Sequence, residues 1–324
     1  MKKSSFASAV SSQGVLIALA LLILFGWLRY DNFLSVFNIS TVLRYNSMFA
    51  LVALGMCFVI MTGGIDLSVG ATAALGSVVS ALLSPHGMLV GTLGGVAAGL
   101  AVGALNGLII VRLRILPFIA TLATMLAANG SALLLAGDQS VSVSYDSGFT
   151  DLGQGDVFYI PIPALIAAIA YVFGSAMLNY TSTGRTILAI GGNEDASQLM
   201  GLPVHRIKFF VYALSGGLSG MAGVILASQF GAGQPIEGVG WELFAIASVV
   251  VGGTLLSGGL GSVIATLAGV LLLGIVFNAL NFENGLGWIS LSAYWQSVIR
   301  GVFLLVVVIL QSRLLARSDA AAPL

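Results

Sequence analysis

Long apolar runs alternate with short polar segments along most of the chain. A transmembrane helix needs about 20 apolar residues to cross roughly 30 Å of hydrocarbon. Windows of that length find about ten candidate spans, at approximately residues 13–29, 46–62, 66–84, 88–111, 116–136, 160–178, 207–230, 241–257, 261–281 and 293–311. The pattern therefore predicts an all-α membrane protein with about ten transmembrane helices in a single transmembrane domain, residues 1–324.

The segment 46–84 is too long to cross a bilayer as one helix at 1.5 Å per residue. Gly63 and Gly64 divide it, and the stretch "MTGGIDLSVG" places Asp66 between two apolar runs. A carboxylate inside lipid is costly. We therefore expect a hairpin or a broken helix here, with Asp66 or its neighbours capping the helix that follows.

Basic residues predict the orientation, because Lys and Arg accumulate in short cytoplasmic loops. With ten crossings and an internal N-terminus, only Arg29 and Arg44 fall outside and Arg300 lies within the last span. The others are cytoplasmic: Lys2, Lys3, Arg112, Arg114, Arg185, Arg206, Lys208, Arg313 and Arg317. This predicts cytoplasmic termini (1–12 and 312–324), a cytoplasmic loop at 179–206 and an acidic external loop at 137–159.

A short internal repeat accompanies the break. "GGIDLSVG" at 63–70 matches "GGTLLSGG" at 252–259 in five of eight places, and each copy follows an apolar span. Repeats of broken helices are common in transporters, although a match this short and rich in glycine could also arise by chance. Leu255 replaces Asp66 in the second copy, so the acid belongs to one half only.

Composition argues against most enzyme classes. Charged residues make up 7% of the chain and the net charge is zero, so nothing favours binding to nucleic acid. One cysteine and two distant histidines do not suggest a metal site. None of the three lysines follows a glycine-rich phosphate loop, so we expect neither ATP hydrolysis nor a cofactor in this chain.

The predicted cytoplasmic loop contains the signals of a short capped helix. Asn193 is a favourable N-cap, Glu194 and Asp195 would interact well with the helix dipole, and Gly201 is a stop. The residues alone leave open whether this helix is a simple connector.

Four ordered blocks resemble a known family: "GMCFVIMTGGIDLSVGA", "PFIATLATM", "GRTILAIGGNEDASQLMGL" and "AIASVVVGGTLLSGGLGSV". Together they resemble the permease subunits of bacterial ABC importers for ribose, xylose, arabinose, galactose and related sugars. The resemblance implies a ten-helix fold like that of the vitamin B12 importer's membrane subunit (type II), in the inner membrane. It also implies a second permease copy or paralogue, cytoplasmic ATPase subunits that bind ATP and magnesium, and a periplasmic sugar-binding protein.

In such importers a short cytoplasmic helix docks into the ATPase. The resemblance implies that the coupling contact here is made by Gly191, Gly192, Asn193, Glu194, Asp195, Ala196 and Gly201. The acidic loop 137–159 would be a docking edge for the sugar-binding protein, or simply a solvated loop.

A neutral sugar needs hydrogen-bonding groups and an aromatic surface rather than a charged cage. Candidates along the pathway are Asn46, Phe58, Asp66, Ser68 and Asn129. Each also has an interpretation as a packing or capping residue. The alternative function is a secondary transporter or facilitator without an ATPase, in which Asp66 would bind a coupling ion.

Overall fold

The computed structural model describes residues 2–285 and residues 295, 298, 299, 301 and 302. Its helices are α1 (Lys2–Arg29), α2 (Val36–Met61), α3 (Val69–Leu83), α4 (Met88–Arg112), α5 (Pro117–Ala136), α6 (Asp151–Gln154), α7 (Ile162–Tyr180), α8 (Ser182–Gly192), α9 (Glu194–Leu199), α10 (Val204–Phe230), α11 (Trp241–Val251) and α12 (Val263–Gly285). A 3-10 turn, Ser84–His86, follows α3. Four two-residue strands form two antiparallel pairs: β1 (Val141–Ser142) with β4 (Ala232–Gly233), and β2 (Asp156–Val157) with β3 (Ile160–Pro161).

Seven described helices are long and apolar enough to cross a membrane: α2, α3 with its 3-10 turn, α4, α5, α7, α10 and α12. This confirms a mostly helical protein with several membrane-spanning helices. α2 begins at Val36 rather than at residue 46, and the predicted tail 1–12 is helical from Lys2. The predicted tenth span, 293–311, lies outside the described residues except for five positions, and the predicted tail 312–324 lies outside them entirely.

The helix α2 forms the centre of the fold. Of its most apolar window 78% is buried, against 28% for α5 and for α7. It packs against α7, α10, α11 and α12, and its residues from Met48 to Met61 are almost all buried. A helix that is apolar on every side must be surrounded by other helices or by lipid, and here the protein itself surrounds most of α2.

A stripe of glycines brings α4 into backbone contact with α10. A Cβ added to Gly103 would overlap the Tyr212 carbonyl oxygen, and a Cβ added to Gly99 would overlap the Gly216 carbonyl oxygen. The stripe consists of Gly95, Gly99, Gly103 and Gly107. Gly107 faces Phe209 whereas Gly95 faces Val224, so the two helices are antiparallel. The hydrophobic effect does not drive helices together within lipid. Small residues let the two backbones approach closely, and the resulting van der Waals packing stabilises the interface.

The chain reverses direction between α2 and α3. Tyr45 contacts Phe230 and Gly55 contacts Ser215, so α2 runs antiparallel to α10. The helix α3 runs in the same direction as α10, since Asp66, just before α3, bonds to Ser215, and Ser77 farther along α3 lies against Gly223. It packs on α4, α5 and α10 rather than along α2. The break predicted at Gly63 and Gly64 is therefore a true reversal.

The predicted span 241–257 is wrong as a continuous helix. Its helical part, α11, has 11 residues and a length of about 16 Å, too short to cross the hydrocarbon core. The glycine- and proline-rich segment 231–240 ("GAGQPIEGVG") precedes it and runs along α3, from the level of Ala81 to Gly70. The Trp241 ring then lies 4.8 Å from the ring of Phe49, midway along α2, so α11 begins inside the fold.

The end of the fold opposite α9 is closed by the segment predicted as an acidic external loop. It contains β1, α6 and β2, and β3 follows it directly. Arg44 of α2 pairs with Asp156 at 2.6 Å and donates to the Gly153 carbonyl oxygen at 2.7 Å. These contacts hold the loop against the start of α2.

We expect Gly103→Ala to destabilise the protein, because the added Cβ would overlap the Tyr212 carbonyl oxygen. Overpacking of this kind costs about 1–3 kcal/mol. Gly130→Ala in α5 is the matched control, since its Cβ would meet nothing within 4 Å. Thermal unfolding of the purified protein in detergent measures both effects. Equal unfolding midpoints for the two variants would contradict the close α4–α10 contact.

Candidate functional site

Asp66 lies in the turn between α2 and α3 and is 1% exposed. Its Oδ1 accepts hydrogen bonds from the backbone N–H of Ser68 at 3.0 Å and from the Ser68 hydroxyl at 2.6 Å. Its Oδ2 accepts a hydrogen bond from the Ser215 hydroxyl of α10 at 2.9 Å. The carboxylate thus closes the turn at Ser68, the residue that caps α3, and α3 itself begins three residues after Asp66. The expected capping of the first-turn amides is wrong: Asp66 accepts from the N–H of Ser68, the N-cap residue itself, and Ser68 makes no side-chain cap hydrogen bond to α3.

The hydrogen bonds continue from Ser68 into two further helices. Asn106 of α4 donates to the Ser68 hydroxyl oxygen at 2.8 Å, and Thr124 of α5 donates to the Asn106 side-chain oxygen at 2.6 Å. We call Asp66, Ser68, Asn106, Thr124 and Ser215 the Asp66 network. All five side chains are buried. The network therefore fixes the start of α3 to α4, α5 and α10 without an ion pair among the described residues.

Sequence reasoning identified Asp66 and Ser68 but missed the other three members of the network. Asn106 stands alone as an amide within the apolar run "GALNGLII". Polar side chains in such runs commonly form hydrogen bonds between helices, so Asn106 could have been suspected. Thr124 and Ser215 carry no comparable sequence signal, because threonine and serine also bond to their own helix backbone.

A buried tyrosine lies beside the same turn. The Tyr212 ring is fully buried in α10, and its hydroxyl approaches Gly64 closely. This hydroxyl has no hydrogen-bond partner among the described residues. The turn therefore combines a saturated carboxylate with an unsatisfied phenol.

The other predicted pathway residues lie apart from the Asp66 network. Asn46 donates to the Val42 carbonyl oxygen at 2.7 Å and fits against Gly274 of α12. Phe58 is fully buried in the core around α2. Asn129 is half-buried on α5. The structure thus brings together only Asp66 and Ser68 of the five candidates.

The two copies of the short repeat adopt the same helix-ending geometry. After α2, Gly63 has φ of +80°, its N–H donates to Ile60, and the Gly64 N–H donates to Val59. After α11, Gly253 has φ of +84°, and the N–H groups of Gly253 and Thr254 make the equivalent bonds, to Val250 and Val249. Both are Schellman closures.

The geometric equivalence corrects the sequence match by one residue. Gly63 corresponds in structure to Gly253, whereas the letters paired it with Gly252. The position equivalent to Asp66 is therefore Leu256 rather than Leu255, and the acid still belongs to one copy only.

The expected short capped helix is present as α9. Asn193 caps it, its side-chain oxygen accepting from the Ala196 N–H at 2.8 Å, and Glu194 and Asp195 occupy the first turn. Gly201, with φ of +77°, follows the end of the helix. Glu194 pairs with Lys208 of α10 at 2.8 Å. Leu199, the last residue of α9, is 90% exposed.

The coupling candidates Gly191 and Gly192 differ in environment. Gly191 faces inward, where a Cβ would overlap the Met61 carbonyl oxygen and the Gly259 amide nitrogen. Gly192 is exposed, and a Cβ there would meet nothing within 4 Å.

Charges are distributed unevenly between the two ends of the fold. The end that carries α9 also carries the basic residues that lie at the termini of α4, α8 and α10, namely Arg112, Arg114, Arg185, Arg206 and Lys208. The opposite end carries Arg29, Arg44 and the acids of the 137–159 loop. Within the described part of the chain, no group of three His, Cys, Asp or Glu side chains could hold a metal ion.

Comparison with known proteins places these features in a family. The profile described as "Branched-chain amino acid transport system / permease component" matches residues 38–308. The ribose import permease protein RbsC of Bacillus subtilis (strain 168) is 38% identical over 96% of each chain. RbsC of Escherichia coli K12 is 37% identical over 93% of this chain and 94% of the relative. The L-arabinose transport system permease protein AraH of E. coli K12 is 36% identical over 94% of this chain and 92% of the relative. No solved structure gives a significant match.

We expect Ser215→Ala to lower thermal stability, because it removes the only donor to Oδ2 of Asp66 among the described residues. A hydrogen bond to a charged group contributes about 1.5–3 kcal/mol. Ser219→Ala, one turn further along α10, is the matched control. The Ser219 hydroxyl is buried without a partner among the described residues, so its removal should cost little. Equal losses in the two variants would contradict the network.

Proposed function

We propose that this chain, which belongs to the family of branched-chain amino acid transport system permease components, is the membrane-spanning subunit of an ABC importer for a monosaccharide. The observation that carries the proposal is its similarity to ribose and arabinose permeases over more than nine-tenths of its length. A pentose or hexose is the substrate class that fits these relatives.

The charge distribution supports an orientation with α9 in the cytoplasm. Lys and Arg accumulate at cytoplasmic ends of membrane helices, and the α9 end carries most of the described basic residues. In this orientation the acidic 137–159 loop faces the periplasm, where a sugar-binding protein would dock. The protein then resides in the bacterial inner membrane with both termini in the cytoplasm, as a type II fold with about ten crossings.

The helix α9 is the proposed contact with a cytoplasmic ATPase. It is short, capped at both ends and braced by the Glu194–Lys208 ion pair. Its exposed tip at Leu199 and Met200 would seat in a groove of the partner. The proposed coupling residues remain Gly191, Gly192, Asn193, Glu194, Asp195, Ala196 and Gly201. Of these, Gly191 faces inward and Glu194 is paired with Lys208. ATP and magnesium would be bound by the partner, because this chain contains no phosphate-binding lysine loop.

Transport would proceed by alternating access in a dimer with a second permease copy or a paralogue. ATP binding would close the ATPase pair and shift α9, and hydrolysis would reset it. Asn46, Phe58, Asp66, Ser68 and Asn129 remain the proposed pathway residues. Since Asp66 and Ser68 already use their hydrogen bonds within the Asp66 network, a sugar would reach them only when the network opens.

A secondary transporter using Asp66 as an ion site is less well supported. Both carboxylate oxygens of Asp66 already accept neutral hydrogen bonds. Such a transporter would also leave the capped α9 without a role. The importer accounts for both features.

We expect sugar uptake only when the permease is reconstituted in liposomes with its ATPase subunits, a sugar-loaded binding protein and ATP. Labelled ribose, arabinose, xylose and galactose are the substrates to compare. Omission of the ATPase or of ATP should abolish uptake. Uptake by the permease alone would contradict the proposal and favour a facilitator.

We expect Asn193→Ala to reduce the sugar transported per ATP hydrolysed, because it removes the cap of α9. Loss of an N-cap costs about 0.5–2 kcal/mol of helix stability. Asn193→Asp retains a side-chain acceptor, so its loss should be smaller. Parallel uptake and phosphate-release assays measure the ratio. An equal loss of sugar transported per ATP in the two variants would show that the N-cap hydrogen bond of α9 does not contribute to coupling.

A further inference from the structure

Three segments that are distant in sequence meet through glycines at the α9 end of the fold. They are the turn after α2, the end of α8 and the turn after α11. We call Gly63, Gly191, Gly258 and Gly259 the glycine junction. In it Gly63, Gly258 and Gly259 all have positive φ, of +80°, +86° and +80°.

The centre of the junction is a hydrogen bond between the two turns. The carbonyl oxygen of Met61, the last residue of α2, accepts from the Gly259 N–H at 3.0 Å. Carbonyls at a helix end lack hydrogen-bond partners within the helix. The turn after α11 therefore supplies the donor that the last carbonyl of α2 needs. A Cβ added to Gly258 would lie 2.8 Å from the Gly63 nitrogen, which shows that the turns touch through their backbones.

Gly191 packs directly on this hydrogen bond. A Cβ on Gly191 would overlap both the Met61 oxygen and the Gly259 nitrogen. No other residue type fits without moving one of the three segments. The end of α8 is therefore held against both turns at once.

The junction is separated from α9 by a very short connection. Asn193 ends α8, its N–H donating to Ala189 at 3.0 Å, and it also caps α9. No flexible loop stands between Gly191 and the start of α9, so a displacement of α9 must move Gly191. On the other side, Met61 is followed within five residues by Asp66 and its network.

The second tie between α9 and the helices is weaker. It is the Glu194–Lys208 ion pair, in which the Glu194 side chain is 46% exposed. Water and salt screen such pairs. In the junction Gly191, Gly258 and Gly259 are buried or half-buried and Gly63 is exposed. Its backbones are in direct contact, and closely packed contacts of this kind do not deform continuously, so the junction is the stiffer tie.

We propose that the glycine junction transmits the movement of α9 to both helix breaks, with Gly191 as the positioning residue. This inference rests on the proposed function, because it assigns a mechanical route to the coupling of the ATPase with transport. When α9 shifts, the turn carrying Asp66 and the turn before α12 shift with it as one body. Both breaks would then change together.

The test compares single-methyl additions in the complete complex, reconstituted with its ATPase and binding protein. Gly191→Ala should lower the sugar transported per ATP by roughly threefold to thirtyfold, the range for residues that couple distant sites. Gly130→Ala on α5 is the control that should leave the ratio unchanged.

The ratio distinguishes coupling from folding. A purely structural defect lowers the amount of active complex, and therefore uptake and hydrolysis together, without changing their ratio. An unchanged ratio in Gly191→Ala, or an equal loss in Gly191→Ala and Gly130→Ala, would overturn the proposal. If the wild-type complex shows no ATP-dependent uptake, the proposed function fails instead, before any variant is compared.

A second measurement avoids the risk that Gly191→Ala fails to assemble. Spin labels at Gln198 and Ser257, both exposed, report the distance between α9 and the second turn in a Cys57→Ala background. We expect this distance to stay the same with and without ATP, while the distance from Gln198 to Leu113 changes. A change in the Gln198–Ser257 distance that is as large as the change to Leu113 would show that the junction does not move as a unit.

Discussion

A helix that ends within a membrane protein must satisfy its last backbone carbonyls without help from lipid. The turn after α2 satisfies the carbonyls of Val59 and Ile60, and the last one, that of Met61, accepts from the Gly259 N–H of the second turn, with Gly191 packed on the bond. Because α2 is the central helix, its end position fixes the turn that carries Asp66 and the turn that precedes α12. The glycines are required there because three backbones approach within contact distance.

The Asp66 network is the side-chain counterpart of this backbone closure. A buried carboxylate is stable only when it is hydrogen-bonded, and here three neutral donor groups supply the bonds, two from Ser68 and one from Ser215 of α10. The reversal is therefore a rigid feature that ties α3 to α4, α5 and α10.

Window hydropathy predicted most of the helices but could not give the depth of each segment. It left 231–240 between two spans and treated 241–257 as a full span, because glycine and proline indicate a break in a helix but not the depth at which it lies. The structure places this extended segment along α3, and α11 begins beside Phe49 at mid-height. The sequence also indicated the repeat, but the alignment of its two copies was wrong by one residue. The closure of each helix depends on which glycine has positive φ, and a match between residue types does not show this.

The sequence by itself determined the class of protein, the break at Gly63 and Gly64, the capped α9 and the resemblance to sugar permeases. These are local properties, set by composition, capping chemistry and short motifs. Only the tertiary structure decided that Gly191 lies on the bond between Met61 and Gly259, and that Ser215, Asn106 and Thr124 complete the surroundings of Asp66. The partners in these contacts are separated by up to about two hundred positions. Which of them meet depends on the direction and packing of whole helices, and no short pattern in the chain encodes that.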